Sequence, residues 1–346
     1  MFSIVTTQKI IEKLYQEDSV WGNVVAQTKC FYVKLDSAWW EEDDMTPLMQ
    51  LANAQADIKD GKDIFSELDA HPEVIAKYPS SVFILDIEPI EAIRLQQKYG
   101  VIVQSFKSLD DAILTSVSKS VFDIESDEQG IGWIDIFRGV KDLPINAVII
   151  NDRNLFTNDQ VKTDRFGNVK NCFSGVENIK DILNTILPRT LDVPFHVLVV
   201  CDKAGIDNHL NVKKVITLLN GLKKQIIRPY NIVIELLAVS SDSSFYPKTH
   251  NRRILTNYAV LTFDHKINAF EGRVSKTEQL ITVNKFFSYN NLKDRSPYIK
   301  DHNRLVGALQ EYAEYVGLHP ILAEHEFAKN GIAGQKFNKT EHRMIV

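Results

Sequence analysis

The segment from His250 to Asn257 brings together side chains that can act on a phosphate group. His250 and Arg252 are separated by one residue, and Asn257 follows five positions after the arginine. Residues two apart on an extended strand point to the same face, so the imidazole and the guanidinium would face one ligand. An imidazole can act as a nucleophile, and a guanidinium can hold an anion with two parallel hydrogen bonds. The segment therefore carries a nucleophile candidate, an anion-binding cation and, at Asn257, an amide.

The order of these residue types, written H-x-R-x-x-x-x-N, resembles the H-x-K-x-x-x-x-D signature of the phospholipase D superfamily. The resemblance covers roughly residues 145 to 270 and places Arg252 and Asn257 where the family has lysine and aspartate. It implies a metal-independent phosphodiesterase or nuclease, a hydrolase that forms a phosphohistidine on His250 and needs no cofactor. It also implies that Arg252 holds the phosphate and that Asn257 orients the imidazole. Because the family's active site uses two signatures and this chain contains one, it also implies a homodimer in which the two His250 side chains face a shared cleft.

An amide carries no negative charge, so a catalytic imidazole next to Asn257 needs a carboxylate from elsewhere in the chain. Asp152 is the first candidate, because it directly follows a predicted strand over residues 147 to 151. Asp264 and His265, just beyond the signature strand, are the next candidates. The remaining predicted substrate-binding residues are three cations and a downstream amide: Lys248, Arg153, Arg253 and Asn268.

Charge is unevenly distributed along the chain, although the formal net charge is only −5. Eleven acidic residues stand against two lysines from Asp36 to Glu73, whereas eight basic residues stand against two acidic ones from Lys213 to Arg253. A basic region around the signature fits a polyanion, so nucleic acid or another phosphodiester is the expected partner. Solvated helix faces are the alternative explanation for each charged run.

Short apolar runs alternate with longer amphipathic ones, which predicts an α/β fold with a mixed, largely parallel sheet and flanking helices. In the first half we predict helices over residues 7–17, 47–58 and 89–98 and strands over 30–35, 81–86 and 101–103. In the second half we predict strands over 147–151, 195–200, 231–238 and 253–262 and helices over 176–187, 211–224 and 301–315. The run from 81 to 103 reads as a β-α-β crossover, with Gly100 ending its helix.

Hydrophobic periodicity fades between Lys119 and Leu143, where three glycines surround Trp133, and this predicts a domain boundary. Residues 1–142 then form a smaller α/β N-terminal domain with no assigned role. Residues 143–330 form the phospholipase D-like C-terminal domain, and residues 331–346 form a polar tail. A chain of 346 residues is long enough for two such domains.

Other features limit the functional classes. The three cysteines are far apart, which predicts neither disulfides nor a zinc site and favours the cytoplasm. The sequence contains no signal-like start and no apolar run long enough to cross a membrane. Two alternatives to catalysis by His250 stay open. One is a catalytically inactive phosphate- or nucleic-acid-binding or assembly module on the same fold. The other is a metal-dependent nuclease using the strand-end residues Asp86, Asp152 and Asp202. Defence against foreign nucleic acid is a context that fits a degenerate member of the phospholipase D superfamily.

Overall fold

The structure is a computed structural model, and its described residues form two large β-sheets with flanking helices and two small hairpins, which confirms the predicted α/β class. It describes residues 2–36, 46–115, 119–157, 159–163, 165, 167, 169–207, 212–239, 241, 247, 250–285, 307 and 342–345. Within these residues, no helix is long and apolar enough to span a membrane.

The first sheet has five strands in the order β3-β2-β1-β4-β5, and all neighbouring strands are parallel. The strands are β1 (Ser3–Thr7), β2 (Cys30–Lys34), β3 (Asp57–Asp60), β4 (Ser81–Leu85) and β5 (Ile102–Ser105). The helices of this half are α1 (Gln8–Gln16), α2 (Val20–Gln27), α3 (Pro47–Asn53), α4 (Lys62–Ala70), α5 (Pro89–Tyr99) and α6 (Ala112–Thr115), with a 3-10 helix at Pro72–Lys77. The predicted crossover is confirmed, because β4, α5 and β5 follow one another and β4 pairs with β5 in parallel. Gly100 ends α5 in the left-handed conformation with a φ of 63°, as glycine readily does.

The second sheet has seven strands in the order β11-β10-β7-β12-β13-β16-β6. The strands are β6 (Lys119–Ile124), β7 (Ala147–Asn151), β10 (Phe195–Asp202), β11 (Ile232–Val239), β12 (Arg253–Thr256), β13 (Ala259–Phe263) and β16 (Gln279–Lys285). Two small hairpins are β8 (Gln160–Thr163) with β9 (Val169–Cys172), and β14 (Phe270–Glu271) with β15 (Val274–Ser275). The helices are α7 (Trp133–Ile136), α8 (Ser174–Ile186), α9 (Lys203–Asp207) and α10 (Val212–Gln225), with a 3-10 turn at Phe137–Gly139. Strands β7, β10 and β11 are parallel, and every other pairing in this sheet is antiparallel.

The two sheets share a hydrophobic core. Ile4 and Val82 of the first sheet belong to the same buried cluster as Ile149, Leu198 and Leu255 of the second sheet. The chain passes from one sheet to the other between β5 and β6, because β6 pairs with β16. This passage comes before the predicted boundary at residue 142. The sequence gives little sign of this passage, because the residues of β6 are exposed or part-buried except for Ile124, so the strand lacks an apolar run.

Two predicted elements differ in length from the observed ones. The helix predicted over 47–58 ends at Asn53, because Gln55 takes a positive φ of 64° and the chain then enters β3. The single strand predicted over 253–262 is a hairpin, in which β12 and β13 pair antiparallel around Asn257 and Tyr258. A run of apolar residues hides such a turn when the turn residues are themselves buried, as these two are.

Of the polar tail predicted over residues 331–346, the structure describes residues 342–345, and these are largely buried. Met344 and Ile345 are buried in the cluster shared by the two sheets. The His342 side chain is fully buried, and its Nε2 lies 3.0 Å from the Val148 carbonyl oxygen. The polar composition of this segment gave no indication that Met344 and Ile345 would be buried. The helix predicted over 301–315 lies outside the described residues except for Gly307.

Candidate functional site

The carboxyl end of β7 and the start of β12 meet at one edge of the second sheet. Because β12 runs antiparallel to β7, Arg253 lies opposite Asn151. The Asn151 side-chain amide donates a hydrogen bond of 2.6 Å to the Asn251 carbonyl oxygen. We call this region the β7–β12 edge and define it by Asp152, residues 250–253 and residues 264–268. It holds most of the predicted site residues.

Arg252 is held in place from two sides. Its Nη1 donates a hydrogen bond of 2.6 Å to the carbonyl oxygen of Asp264. Its Nε lies 3.8 Å from Oδ1 of Asp152 in an ion pair. The arginine side chain is 22% exposed, so the guanidinium is supported by the protein while part of it reaches solvent. A guanidinium fixed in this way is suited to bind an anion, because little side-chain freedom is lost on binding.

Asp152 is a fully buried carboxyl group beside that guanidinium. Its Oδ1 accepts a hydrogen bond of 2.8 Å from the Asn154 amide, and its Oδ2 accepts one of 2.8 Å from the Ile267 amide. Burial raises the pKa of Asp152 above the ordinary aspartate value, and the two amide bonds and the positive charges of Arg252 and Lys266 oppose that rise. Asp152 therefore contacts the signature at Arg252. Its predicted role, a carboxylate that supports the His250 imidazole, stays a prediction.

His250 is exposed and lies before β12, which begins only at Arg253. The expectation that His250 and Arg252 share the face of an extended strand is therefore wrong for His250. The ladder does continue one residue past the strand, because the Phe263 amide donates to the Arg252 carbonyl oxygen over 3.2 Å. The two side chains remain close in the chain, and His250 is open to a ligand from solvent.

Asn257 lies at the opposite end of β12 from His250. Its Oδ1 accepts hydrogen bonds from the amides of Asn146 and Ala147, over 3.3 and 3.2 Å. Its Nδ2 donates to the Gly100 carbonyl oxygen over 3.0 Å and to Oδ1 of Asn146 over 3.1 Å. The side chain is fully buried. The predicted role of orienting His250 is therefore wrong for this arrangement. Both the oxygen and the nitrogen of the Asn257 amide hold the turn against Gly100 and residues 146–147 of the same chain.

Four further residues were predicted to bind substrate. Arg253, partly buried, begins β12 and pairs with Thr262, and Arg153 is partly buried directly after Asp152. Asn268 is 7% exposed, and its Nδ2 lies 3.4 Å from the Ser174 hydroxyl oxygen. Lys248 lies outside the described residues.

Sequence reasoning missed the start of α8 as a neighbour of this edge. The Ser174 hydroxyl bonds to Oδ1 of Asp159 over 3.2 Å, and the Asp159 carboxylate also accepts from the amides of Gly175 and Val176. Asp159 therefore accepts hydrogen bonds from backbone amides in the first turn of α8. Asn268, through its contact with the Ser174 hydroxyl, connects the start of that helix to the β7–β12 edge. An aspartate fifteen residues before a helix start gives no local capping signal, because capping patterns span only three or four residues.

The three strand-end aspartates considered for a metal site do not form one group. Asp86 follows β4 in the first sheet, whereas Asp152 and Asp202 lie at the ends of the neighbouring parallel strands β7 and β10. Oδ1 of Asp202 accepts a hydrogen bond from the Ala204 amide over 3.0 Å, so it closes a turn, as Asp152 does. Across the part of the chain that the structure describes, no group of three or more histidine, cysteine, aspartate or glutamate side chains could hold a metal ion.

Neither a scan against protein-family models nor a search of curated proteins finds a match to this chain. The phospholipase D resemblance therefore remains a prediction from the spacing of His250, Arg252 and Asn257. The fold and the geometry of the β7–β12 edge stand independently of it.

Proposed function

We propose that the chain binds phosphodiesters at the β7–β12 edge and cleaves them without a metal ion, with His250 as the nucleophile. The observation that supports this most strongly is the Arg252 guanidinium, which two protein groups hold in place two residues from an exposed imidazole. A nucleophile next to a fixed cation is the arrangement that phosphoryl transfer through a covalent intermediate needs.

Each residue then has a defined task. Arg252 binds the nonbridging oxygens of the phosphate and stabilises the charge that develops on them. Asp152 keeps the guanidinium oriented. Burial raises the pKa of its carboxyl group, and the two backbone hydrogen bonds that it accepts oppose that rise. Asn257 has no part in the chemistry, so its replacement of the family's aspartate gives no argument against turnover.

Nucleic acid is the substrate class that we propose. Arg253 and Lys266 belong to the β7–β12 edge, and Arg153 directly follows Asp152. Together with Arg252 these cations can contact several successive phosphates. A phosphodiester in a nucleic acid also needs a second imidazole or another acid to protonate its leaving oxygen. The resemblance would supply it from a second copy of the chain, and this homodimer stays a prediction.

The second candidate is a binding module that holds phosphate or nucleic acid without turnover. One observation favours it: His250 precedes β12, so the strand geometry that would aim it together with Arg252 is missing. In that case the same cations bind the ligand and His250 makes no covalent bond.

A cleavage and binding assay separates these two functions. Purified protein is incubated with labelled single- and double-stranded DNA and RNA, with and without EDTA, beside His250→Ala and Arg252→Ala. Arg94→Ala serves as the control, because Arg94 is an exposed arginine on α5 that pairs with Glu91. We expect cleavage that resists EDTA and falls by at least about 1,000-fold in His250→Ala. We also expect Arg252→Ala to weaken binding and to reduce the slope of log affinity against log salt by about one.

Three results would contradict the proposal. Binding without cleavage would support the module instead. Cleavage that EDTA abolishes would require a metal-dependent site. Cleavage that survives His250→Ala would place the nucleophile elsewhere.

A further inference from the structure

Strand β6 lies at one edge of the seven-stranded sheet. Among the described strands its one neighbour is β16, and the two strands pair without interruption from Lys119 opposite Asn284 to Ile124 opposite Gln279. Proteins commonly protect such an edge with a proline, a bulge or a very short strand. β6 has six residues, no proline and no bulge in its ladder. In the described part of the chain, no strand pairs with its outer side.

The two faces of β6 differ in exposure. Ile124 is buried in the core of the second sheet, and Phe122 packs against that core. Lys119, Val121 and Asp123 alternate with these residues and are exposed, and Val121 is 53% exposed. The outer face of the strand therefore carries one apolar side chain between a positive and a negative charge.

Leu280 extends this exposed face onto the neighbouring strand. It lies opposite Asp123 on β16 and is 43% exposed, so it is diagonal to Val121. Cross-strand diagonal neighbours are close enough for long side chains to touch. Val121 and Leu280 therefore form a small apolar surface at the sheet edge.

The exposed face of β6 is complementary to itself. When a second β6 runs antiparallel to the first with Val121 opposite its copy, each Lys119 lies opposite an Asp123. Directly opposite side chains in antiparallel strands have Cβ atoms about 4.5–5.5 Å apart, so these opposite charges attract. On the core-facing side, the same register sets the part-buried ring of Phe122 opposite Ser120.

The other registers are less favourable. A shift by one residue would turn the exposed face of one copy to the core-facing side of the other. A shift by two residues sets Lys119 or Asp123 opposite Val121, and a shift by four sets like charges opposite each other. Like charges at directly opposite positions are destabilising. The register centred on Val121 is therefore the one that the sequence of this strand favours.

We propose that two copies of this chain associate through β6, antiparallel about a two-fold axis at Val121, and join their seven-stranded sheets into one. A two-fold interface uses the same surface on both copies, so it requires a surface that is complementary to itself. The charge order of β6 meets this requirement. The inference does not depend on the proposed cleavage chemistry.

The strand pairing also relates this interface to the candidate site. Arg253 pairs with Thr262, Thr262 with Thr282, and Thr282 with Val121. From β12 of one copy to β12 of the other there are seven strand spacings of about 4.8 Å, or about 34 Å along the joined sheet. The two β7–β12 edges therefore stay separate. This dimer differs from the shared cleft that the phospholipase D resemblance implies.

Sedimentation equilibrium of the full-length protein tests the interface, over about 1–200 µM at low salt. We expect the wild type to dimerise with a micromolar Kd, because one pair of six-residue strands is a small interface. Lys119→Asp and Asp123→Lys each set like charges opposite each other at two positions, so each should weaken the dimer by at least about 10-fold. Lys59→Asp is the matched control, because Lys59 lies on β3 at an edge of the other sheet. It should leave the Kd unchanged.

Mixing the two single variants gives the sharper test. A copy with Lys119→Asp has two negative charges on this face, and a copy with Asp123→Lys has two positive charges. We expect their equimolar mixture to form a heterodimer with about the affinity of the wild type. Circular dichroism of each variant alone checks that it is folded.

Cross-linking tests the position of the axis. Val121→Cys should form a dimer with a short bismaleimide. Ile227→Cys, at an exposed residue beyond α10, and the wild type should not.

Four results would overturn the proposal. The first is a wild type that is monomeric over the whole concentration range. The second is a dimer that both charge variants leave unchanged, since it would form through another surface, such as the shared cleft. The third is a loss of dimer in the single variants that their mixture does not restore. The fourth is a dimer in which Val121→Cys fails to cross-link, because this would contradict the register.

Discussion

Replacing Asn257 with aspartate restores the residue that the phospholipase D signature carries at that position. If Asn257 oriented His250, the added carboxylate would raise activity. The structure predicts the opposite. Asn257 is fully buried, and its Nδ2 donates to the Gly100 carbonyl oxygen and to Oδ1 of Asn146. In Asn257→Asp an ionised carboxylate oxygen faces those two acceptors and can donate to neither.

The expected destabilisation can be estimated from these contacts. Two hydrogen bonds are lost, at about 1 kcal/mol each, and a buried carbonyl oxygen left without its donor costs about 1–3 kcal/mol more. The free energy of unfolding should therefore fall by about 3–5 kcal/mol, out of a total that is typically about 5–15 kcal/mol. Lowering the pH should reduce this deficit. Burial raises the pKa of the introduced carboxyl group in the folded state, so protonation favours folding.

Urea unfolding followed by circular dichroism measures the effect, with Asn53→Asp as the control. Asn53 ends α3 and is exposed, so the same chemical change there should alter the free energy of unfolding by less than about 0.5 kcal/mol. A variant Asn257→Asp that is as stable as the wild type and cleaves phosphodiesters faster would refute the structural role of Asn257.

Three further predictions follow from buried groups. Tyr258→Phe removes a hydroxyl that bonds to two backbone groups of the first sheet, so urea unfolding should show a loss of about 2–4 kcal/mol; a loss below about 0.5 kcal/mol would contradict this. Arg252→Ala should raise the pKa of Asp152 further, because it removes a positive charge that favours the ionised carboxyl; NMR titration of that carboxyl checks the direction, and an unchanged or lower pKa would count against the ion pair. Burial lowers the pKa of His342 from 6.5 to about 3, so stability should decline as the pH falls between these values, because the unfolded state takes up the proton first. Unfolding midpoints measured across that range should decline less in His342→Gln, and an identical decline would contradict a buried neutral imidazole.

Local patterns were sufficient to predict the parallel strands of the second sheet. The strand predicted over 147–151 is β7, and the strands predicted over 195–200 and 231–238 overlap β10 and β11 almost completely. These strands are buried on both faces, so they appear in the sequence as continuous apolar runs between helices. Their periodicity does not depend on distant parts of the chain.

The turn at Asn257 and Tyr258 could not be predicted in this way. Its residues are satisfied by groups more than a hundred positions away, such as the Gly100 carbonyl oxygen. The Tyr258 hydroxyl donates to the Ser81 carbonyl oxygen over 2.6 Å and accepts from the Ile102 amide over 2.7 Å. A polar residue with such distant partners looks the same in sequence as a residue at a catalytic site. For this reason the sequence alone could not separate Arg252, which is part-exposed at the β7–β12 edge, from Asn257, which is buried at the other end of β12.

The β12–β13 hairpin separates the two roles of the segment from Arg252 to Tyr258: a structural role at the turn and the proposed ligand-binding role at the open end. Its closed end, Asn257 and Tyr258, is bonded to the first sheet at Gly100, Ser81 and Ile102. Its open end carries Arg252 at the β7–β12 edge. The first sheet therefore has a definable role even without a ligand of its own, because it fixes the hairpin from the closed end. A shift of that end would be transmitted along two short strands to the guanidinium, and in the function that we propose a misplacement of about 1 Å there is enough to impair catalysis.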